Sequence, residues 1–384
     1  MLVFTSLAAA ACGAGSDAVF LAEVTDSAGV RIATNGPVSA APASLQLDAE
    51  PYLMLGGLRQ DLRLEFQGTS PWNSAVVLSD GRLVASNGTH VKFLGPDGAL
   101  ERIVGQEGDG PGEFRQIHGL CPLAGDSVVV WDGRVRRVTI LGPHGAIVRS
   151  FPTTYHVIRD VCFADGALLV QGGRIPDLDP PRARFYTLSS TGALLDSLPV
   201  LPVASSVQVP RQVTYAVHRE ELYVADARHP EVRIYDRAGR LVRIVRTRDT
   251  PEVMTPEELH NANPWEGEMA AGSRSGGAVR PAAFGVTRPP HHRMLVDPEG
   301  RIWLLLDIVL RTDHRNLLGP ADGVWAVFAP DGQLLARLPV DTGEGPWKQI
   351  VDLRTGRPLV ASRDMMGARV LAFHDVLGLP PGAR

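Results

Sequence analysis

The segment Val91-Lys-Phe-Leu-Gly-Pro-Asp-Gly-Ala-Leu-Glu-Arg-Ile-Val104 decides the fold, because it places two short apolar runs on either side of a tight turn. Such runs around a Pro-Asp-Gly turn are typical of a β-hairpin. The turn recurs downstream, each time between two short strand-like runs. The turn glycines are Gly98, Gly145, Gly192, Gly239 and Gly332; the first four lie 47 residues apart, and the fifth lies 93 residues further on. The chain is therefore a repeat protein.

A second turn precedes each of these hairpins and makes the repeat a unit of four strands. It separates two apolar runs in six places along the chain. The six turns are Asp80-Gly81, Gly125-Asp126, Asp165-Gly166, Glu220-Glu221, Glu299-Gly300 and Thr355-Gly356. Four antiparallel strands in roughly 40–50 residues is the period of a β-propeller blade. The sequence therefore predicts an all-β fold, a six-bladed β-propeller over residues 45–384.

The last of the six units supplies only three strands, which end at Arg369–Phe373. The N-terminal run Tyr52–Leu55 has the pattern of a fourth strand but no blade of its own. We expect this run to pair with Arg369–Phe373. That pairing closes the last blade and the ring with an N-terminal strand, and it protects two strand edges from unwanted association.

The first residues, 1–12, read as a lipoprotein signal peptide. They are apolar, end in small residues followed by Cys12, and are shorter than the roughly 20 residues that span a bilayer. Leu7 to Cys12 resembles a bacterial lipobox, although no Lys or Arg precedes the apolar run. We predict lipidation of Cys12, which makes the membrane a partner through a lipid anchor. The alternative is an ordinary apolar N-terminus.

Two segments do not fit the blade pattern. Residues 13–44 include an Ala-, Ser- and Pro-rich stretch and are predicted to be a tether between anchor and ring. Residues 249–290 carry no strand pattern and are predicted to be an insertion, within which Thr255–His260 has the sequence of a helix start. The insertion is either a surface loop or a lid over the disc.

The linker Gly105-Gln-Glu-Gly-Asp-Gly-Pro-Gly-Glu-Phe114 resembles the turn that connects blades in NHL-repeat propellers. Together with Asp26-Ser-Ala-Gly-Val-Arg-Ile32, it makes the chain similar to the family of bacterial six-bladed β-propeller lipoproteins, over residues from about 12 to 376. The resemblance implies a fold and a location in the cell envelope, periplasmic or at the outer membrane. It implies no reaction.

The two remaining cysteines, Cys121 and Cys162, both lie in apolar stretches. Free cysteine is among the most buried residue types. We therefore predict two buried thiols in neighbouring repeats, although an exported protein could also pair them as a disulfide.

A propeller places the starts of its innermost strands around a central channel, where ligands usually bind. Aligning the units on their first turns brings polar and aromatic residues to the channel mouth. These residues are Trp72, Asn73, His118, His156, Arg159, Gln212, His291, His292, Trp347 and Lys348. They are the candidate ligand-binding residues, although the channel of any propeller is wet and therefore polar.

The most favoured function is a non-enzymatic binding or scaffold protein, a monomer without a cofactor, whose partner is a protein, a small molecule or a glycan. The interspersed charges, which sum to −4, offer no basic stripe for nucleic acid. The alternative is a metal-dependent hydrolase or lyase with its site in the channel. Calcium would use Asn73, and zinc would use His118, His156 and His292. No nucleophile elbow or phosphate-binding loop is present in the sequence.

Overall fold

In the computed structural model, the structure describes residues 22–57, 75–163, 165–175, 182–202, 213–226, 229–250, 292–312, 318–341, 348–353, 357–363 and 369–379. Their strands form six sheets with four-stranded cores that succeed one another along the chain. First strands of successive sheets contact each other from the first sheet to the fifth, and the first strand of the sixth contacts that of the first, so these strands lie at the centre of a ring. The molecule is therefore a six-bladed β-propeller, and the predicted fold class is confirmed.

Blades 1 to 3 each use four consecutive strands, numbered from the centre outward. Blade 1 contains β5 (Ala75–Val77), β6 (Leu83–Ser86), β7 (Val91–Leu94) and β8 (Leu100–Val104). Blade 2 contains β9 (Ile117–Pro122), β10 (Val128–Asp132), β11 (Arg137–Leu141) and β12 (Ile147–Pro152). Blade 3 contains β13 (His156–Cys162), β14 (Leu168–Ile175), β15 (Arg182–Leu188) and β16 (Leu194–Pro202).

Blades 4 to 6 follow the same plan, but the N-terminal segment adds strands to two of them. Blade 4 contains β17 (Thr214–His218), β18 (Glu221–Ala225), β19 (Glu231–Tyr235) and β20 (Leu241–Thr247), extended by β2 (Val30–Asn35) and β1 (Glu23–Ser27). Blade 5 contains β21 (Arg293–Val296), β22 (Ile302–Thr312), β23 (Leu318–Phe328) and β24 (Leu334–Asp341). Blade 6 contains β25 (Lys348–Asp352), β26 (Leu359–Arg363), β27 (Arg369–Phe373) and β4 (Leu53–Gly56).

The hydrophobic core is divided among the contacts between neighbouring blades, which we call seams and number by their two blades. One cluster of buried apolar side chains occupies each of the six seams. Phe93 and Phe114 are buried in seam 1/2, and Trp303 and Trp325 in seam 5/6. Each blade is therefore apolar on both faces, and stability is shared among six similar interfaces.

The repeated turn glycines explain why the period is so regular. All five have φ between +75° and +93°, a backbone region that glycine adopts readily. Each also lies against the outer strand of the preceding blade. A Cβ on Gly145 would lie 2.7 Å from Val104, and one on Gly192 would lie 2.7 Å from Phe151. The repeat thus preserves both a turn conformation and a close contact between blades.

The ring is closed as the sequence predicted. Strand β4 pairs antiparallel with β27, with Leu55 opposite Leu371 and Leu53 opposite Phe373. Leu55 is 4% exposed and belongs to the core of seam 6/1. The N-terminal strand therefore serves as the outermost strand of the last blade.

Residues 22–57 form a belt that runs along blades 4, 5 and 6. Its β1–β2 hairpin extends blade 4 because β2 pairs parallel with β20. A 3₁₀ turn at Val38–Ala40 then places Val38 in the core of seam 4/5. Leu45 is fully buried in seam 5/6, and β3 (Gln46–Leu47) pairs with β28 (Val376–Leu377).

This belt corrects the expectation for residues 13–44. The described part of that segment, residues 22–44, pairs with strands of blades 4 and 5 and is not a free tether. The composition of the segment suggested a spacer. Its strands β1 and β2 instead pair with each other, and β2 also pairs with the edge strand β20 of blade 4. Residues 13–21 lie outside the described part of the chain.

The expectation of two free thiols is wrong. Cys121 in β9 and Cys162 in β13 form a disulfide, with their Cα atoms 6.1 Å apart. Innermost strands of consecutive blades are neighbours, so two cysteines 41 residues apart in sequence meet across seam 2/3. This covalent link joins blades 2 and 3 at the wall of the channel.

The signal peptide with Cys12, and the insertion from residue 251 onward with Thr255–His260, lie outside the residues that the structure describes. The described residues have a second 3₁₀ turn at Ala124–Asp126. No helix among them is long and apolar enough to cross a membrane.

Candidate functional site

The linker at residues 105–114 fixes the start of the innermost strand of blade 2. Its last residue, Phe114, is fully buried in seam 1/2 and anchors the loop. The Glu113 carboxylate accepts hydrogen bonds from Gln106 Nε2 at 2.7 Å and from the Gly110 backbone at 2.8 Å. These bonds lower the pKa of Glu113, because they stabilise its charged form. The loop is therefore stabilised by hydrogen bonds between its own residues.

The carboxylate of Asp132, at the end of β10, holds the mouth of blade 2 together. It is 1% exposed. Its Oδ2 accepts from the backbone of Arg115 at 2.6 Å and of Gln116 at 3.1 Å. Its Oδ1 accepts from the backbone of Arg134 at 3.0 Å and of Val135 at 3.2 Å. One buried side chain thus joins the linker to the loop between the second and third strands.

His118, a predicted site residue, follows this junction on β9 and is half-buried. Gly133 N–H donates to its Nδ1 at 3.0 Å, and Nδ1 lies 2.8 Å from the carbonyl oxygen of Gln116. The pairing of β9 with β10 is irregular next to this point, between Trp131 and Asp132. Because Nδ1 is committed to the backbone, Nε2 is the ring nitrogen that can serve a ligand.

His156, also predicted, is the first residue of β13 and is exposed at the mouth. Its ring meets the ring of Trp131 edge to face, with centroids 6.5 Å apart. Trp131 is 3% exposed and pairs across the blade with Gly119 of the innermost strand. Since Gly119 has no side chain, the innermost strand does not cover the indole in this row. The aromatic pair therefore lies where seam 2/3 meets the channel.

The starts of three further innermost strands also carry polar side chains. Thr214 begins β17, and His292 directly precedes β21 and is half-buried. Lys348 begins β25 and is exposed, whereas the next residue, Gln349, is 2% exposed. The described starts of the innermost strands thus carry polar side chains in blades 2 to 6.

Several buried polar atoms at this mouth have no hydrogen-bond partner. Within the described part of the chain they include Trp131 Nε1, Thr214 Oγ1, and both Nε2 and Oε1 of Gln349. A buried donor or acceptor without a partner costs about 1–3 kcal/mol, so native proteins rarely retain one without a reason. Thr214 and Gln349 lie at the starts of innermost strands, and Trp131 lies opposite Gly119, near the start of β9.

The zinc alternative finds no support in the geometry. His118, His156 and His292 are all described, yet the described residues contain no group of three or more His, Cys, Asp or Glu side chains that could hold a metal ion. Asn73, the residue considered for calcium, lies outside the described residues.

For the remaining predicted site residues, the structure describes no side chain. Arg159 lies within β13, but its side chain is not among those described. Trp72, His291, Gln212 and Trp347 fall outside the described ranges.

Trp131, Thr214 and Gln349 were missed by the sequence analysis. Gln349 and Thr214 each lie within two residues of a position that the alignment selected, so a wider window would have included them. Trp131 belongs to a second strand, and only its pairing with Gly119 shows that it lies level with the start of the innermost strand. The sequence pattern indicates on which face of a strand a residue lies. It does not indicate whether the polar atoms of that residue have hydrogen-bond partners.

With the fold and the mouth established, the chain can be compared with known proteins. It resembles a candidate exported protein of Bacteroides fragilis at 9% identity and a TM-score of 0.53, and a member of the DUF4221 family from Bacteroides vulgatus at 11% identity and a TM-score of 0.55. Each match covers 87% of this chain and 99% of the other. At such identities the likeness shows a shared fold alone.

A gluconolactonase from Xanthomonas campestris matches at 16% identity over 86% of this chain and 97% of its own. Its TM-score of 0.42 is too low to support an argument about function. By sequence, the chain matches no family model and no curated protein. The class of protein defined by the fold is thus the six-bladed β-propeller, without assignment to a family.

Proposed function

We propose that this protein is an exported, lipid-anchored binding protein of the bacterial cell envelope, which holds its ligand at the mouth of the propeller channel. The observation that carries the proposal is the set of buried polar atoms without partners at the mouth, on Trp131, Thr214 and Gln349. A ligand that supplies the missing partners would offset the cost of burying them.

Binding, and not catalysis, is the function that the described groups support best. His118 is held by the backbone, and His156 packs edge-on against Trp131. None of His118, His156 and His292 lies in a group of three or more described side chains suited to a metal. Measuring the metal content of the purified protein separates this proposal from the metal-dependent hydrolase or lyase, which requires a stoichiometric ion.

Export is supported by the disulfide between Cys121 and Cys162, since disulfides persist in oxidising compartments. One protein of similar fold is described as a candidate exported protein, which agrees with this reading. Cys12 is the lipidation site in our proposal. Replacing Cys12→Ser should move the protein from the membrane fraction to the soluble fraction of a host that processes lipoproteins. A variant that stays in the membrane fraction would contradict the anchor.

The binding site itself is tested by melting the protein, without residues 1–12, against a panel of neutral, acidic and basic small molecules. A compound that binds the mouth raises the melting temperature of the wild type, because it stabilises only the folded state. The rise should shrink in Trp131→Phe, which keeps an aromatic ring but removes the indole N–H. A panel with no active compound, or a rise unchanged in Trp131→Phe, would refute binding at this mouth.

A further inference from the structure

The polar atoms without partners do not cluster in one blade but alternate around the ring. Trp131 belongs to the core of seam 2/3. Thr214 pairs with Ala225, whose side chain belongs to seam 4/5. Gln349 pairs with Ala361, which belongs to seam 6/1. Directly paired residues on neighbouring strands share a face, so the three polar groups lie in every second seam.

All three lie at the same end of the channel. Thr214 is the first residue of β17, and Gln349 is the second residue of β25. Trp131 lies opposite Gly119, near the start of β9. The three groups therefore lie near the same end of the channel, in three different seams.

These groups are all uncharged. The indole Nε1–H is a donor, the threonine hydroxyl donates and accepts, and the glutamine amide offers two donated protons and an acceptor oxygen. A hydroxyl group is the simplest complement to such a set, because it can both donate and accept. An aromatic pair, Trp131 with His156, lies beside the first of them and offers apolar ring surface.

Resting on the proposed function, we infer that the ligand is a neutral, hydroxyl-rich molecule, a saccharide, recognised at three points by Trp131, Thr214 and Gln349. The three groups belong to blades 2, 4 and 6, which are not neighbours in the ring. One ligand bound to all three would therefore couple blades that do not touch each other. It also explains why these groups have no partners among the described residues: the saccharide hydroxyls supply them.

The first test concerns the protein without ligand. Thr214→Val and Gln349→Leu remove polar groups that have no partner, so the melting temperature should stay level or rise. A matched control is Thr139→Val: Thr139 is 1% exposed, and its Oγ1 lies 3.2 Å from Ser150 Oγ. This control should lower the melting temperature. If Thr214→Val and Gln349→Leu lower it as much as the control does, the groups are satisfied by bound water and the inference fails.

The second test uses glucose and maltotriose as neutral probes, with glucuronate and glucosamine as their acidic and basic counterparts. We expect the neutral sugars to bind more tightly, and each of Trp131→Phe, Thr214→Val and Gln349→Leu to weaken their binding about tenfold, as the loss of one hydrogen bond does. Thr139→Val should leave binding unchanged.

The outcomes separate the inference from the proposed function. Tighter binding of glucuronate or glucosamine, still dependent on Trp131, would overturn the neutral class and leave the mouth as a binding site. If Thr214→Val and Gln349→Leu leave the affinity for neutral sugars unchanged, three-point recognition is wrong. Failure of every compound to bind would overturn both proposals.

Discussion

Gly98 in the turn of blade 1 lies directly against Leu55 of the N-terminal strand, so that a Cβ on Gly98 would be 2.5 Å from Leu55 Cδ2. The same relationship joins Gly145 to Val104 and Gly239 to Pro199, which belong to the outer strands of preceding blades. Leu55 therefore occupies the position that an outer-strand residue occupies elsewhere in the ring. The N-terminal strand is a structural equivalent of the fourth strand and not an accessory.

Replacing Leu55→Ala should lower the free energy of unfolding by about 2–5 kcal/mol, because Leu55 is buried in seam 6/1 and the change leaves a cavity. Chemical denaturation measures this loss. The matched control is Met54→Ala on the same strand, where the side chain is 53% exposed and the cost should be small. Equal losses in the two variants would mean that β4 contributes no core to the closing blade.

Replacing Ala28→Asn should stabilise the N-terminal hairpin. Ala28 and Gly29 form a two-residue turn between Ser27 and Val30, and both have positive φ, +53° and +80°. Asn tolerates that conformation better than Ala, and Asn-Gly is the preferred pair in such turns. We expect a gain of roughly 0.5–1 kcal/mol in thermal unfolding, consistent with the cost of a left-handed residue. Ala28→Val, which is β-branched, should lower stability, and a gain from it would contradict the assigned turn.

Much of the fold could be predicted from the sequence because the turns, which have a recognisable sequence, mark where each strand ends and the next begins. The predicted strands Val91–Leu94 and Leu100–Val104 coincide with β7 and β8, since the intervening turn needs a glycine with positive φ at Gly98. The closing strand was also predicted, because a blade with three strands leaves a partner missing.

The belt and the site could not be predicted in the same way. Periodicity shows that residues 30–35 alternate, but it does not show that they pair parallel with a strand more than 200 residues later. The disulfide depends on which strands are neighbours in the ring, and the unpartnered atoms of Gln349 depend on the packing of a whole seam. These properties arise from tertiary contacts, which local sequence does not encode.

Stability should depend on pH through His218, which ends the innermost strand of blade 4. Burial lowers the pKa of His218, and the charge of Arg219 lowers it further, against smaller opposing effects of Asp297 and Glu221. The folded state therefore favours the neutral ring. This stabilisation is complete above the ordinary pKa of about 6.5 and is lost as the pH falls from there through the lowered pKa of the folded state.

His218→Gln should remove that part of the pH dependence. Melting temperatures measured between pH 5 and pH 8 should fall less steeply toward low pH in this variant than in the wild type. The exposed His229 provides a matched control, since His229→Gln should keep the wild-type slope. If the slope of His218→Gln equals that of the wild type, the histidine is not held neutral by folding.

Reduction should destabilise the protein through Cys121 and Cys162. A disulfide between residues 41 apart restricts the unfolded chain and contributes about 3–4 kcal/mol. Dithiothreitol should therefore lower the melting temperature of protein without residues 1–12. The double variant Cys121→Ser with Cys162→Ser should melt lower from the start and not respond to the reductant. Two free thiols titrated in the unreduced, denatured wild type would show that the bond does not form.

Asn35 should be the most sensitive polar residue of the belt. It is 1% exposed, and its Nδ2 donates to the carbonyl oxygens of Gly332 at 2.9 Å and Arg246 at 3.2 Å. Its Oδ1 accepts from Leu334 N–H at 2.7 Å. Asn35→Ala removes these three hydrogen bonds to backbone groups, so we expect a loss of about 2–4 kcal/mol in chemical denaturation. Asn87→Ala, in a surface turn of blade 1, serves as the control and should cost less.

Three truncations then test the belt as a whole. Deleting residues 13–21 should leave the melting temperature unchanged, because no described contact is removed. Deleting 13–44 should already lower it, since that removes β1, β2 and the buried Val38, and deleting 13–58 should lower it further by also removing β4. The two steps report separately on the blade 4 extension and on ring closure. If deletion of 13–44 proves harmless while deletion of 13–58 does not, residues 22–44 are a tether after all, and only β4 holds the ring.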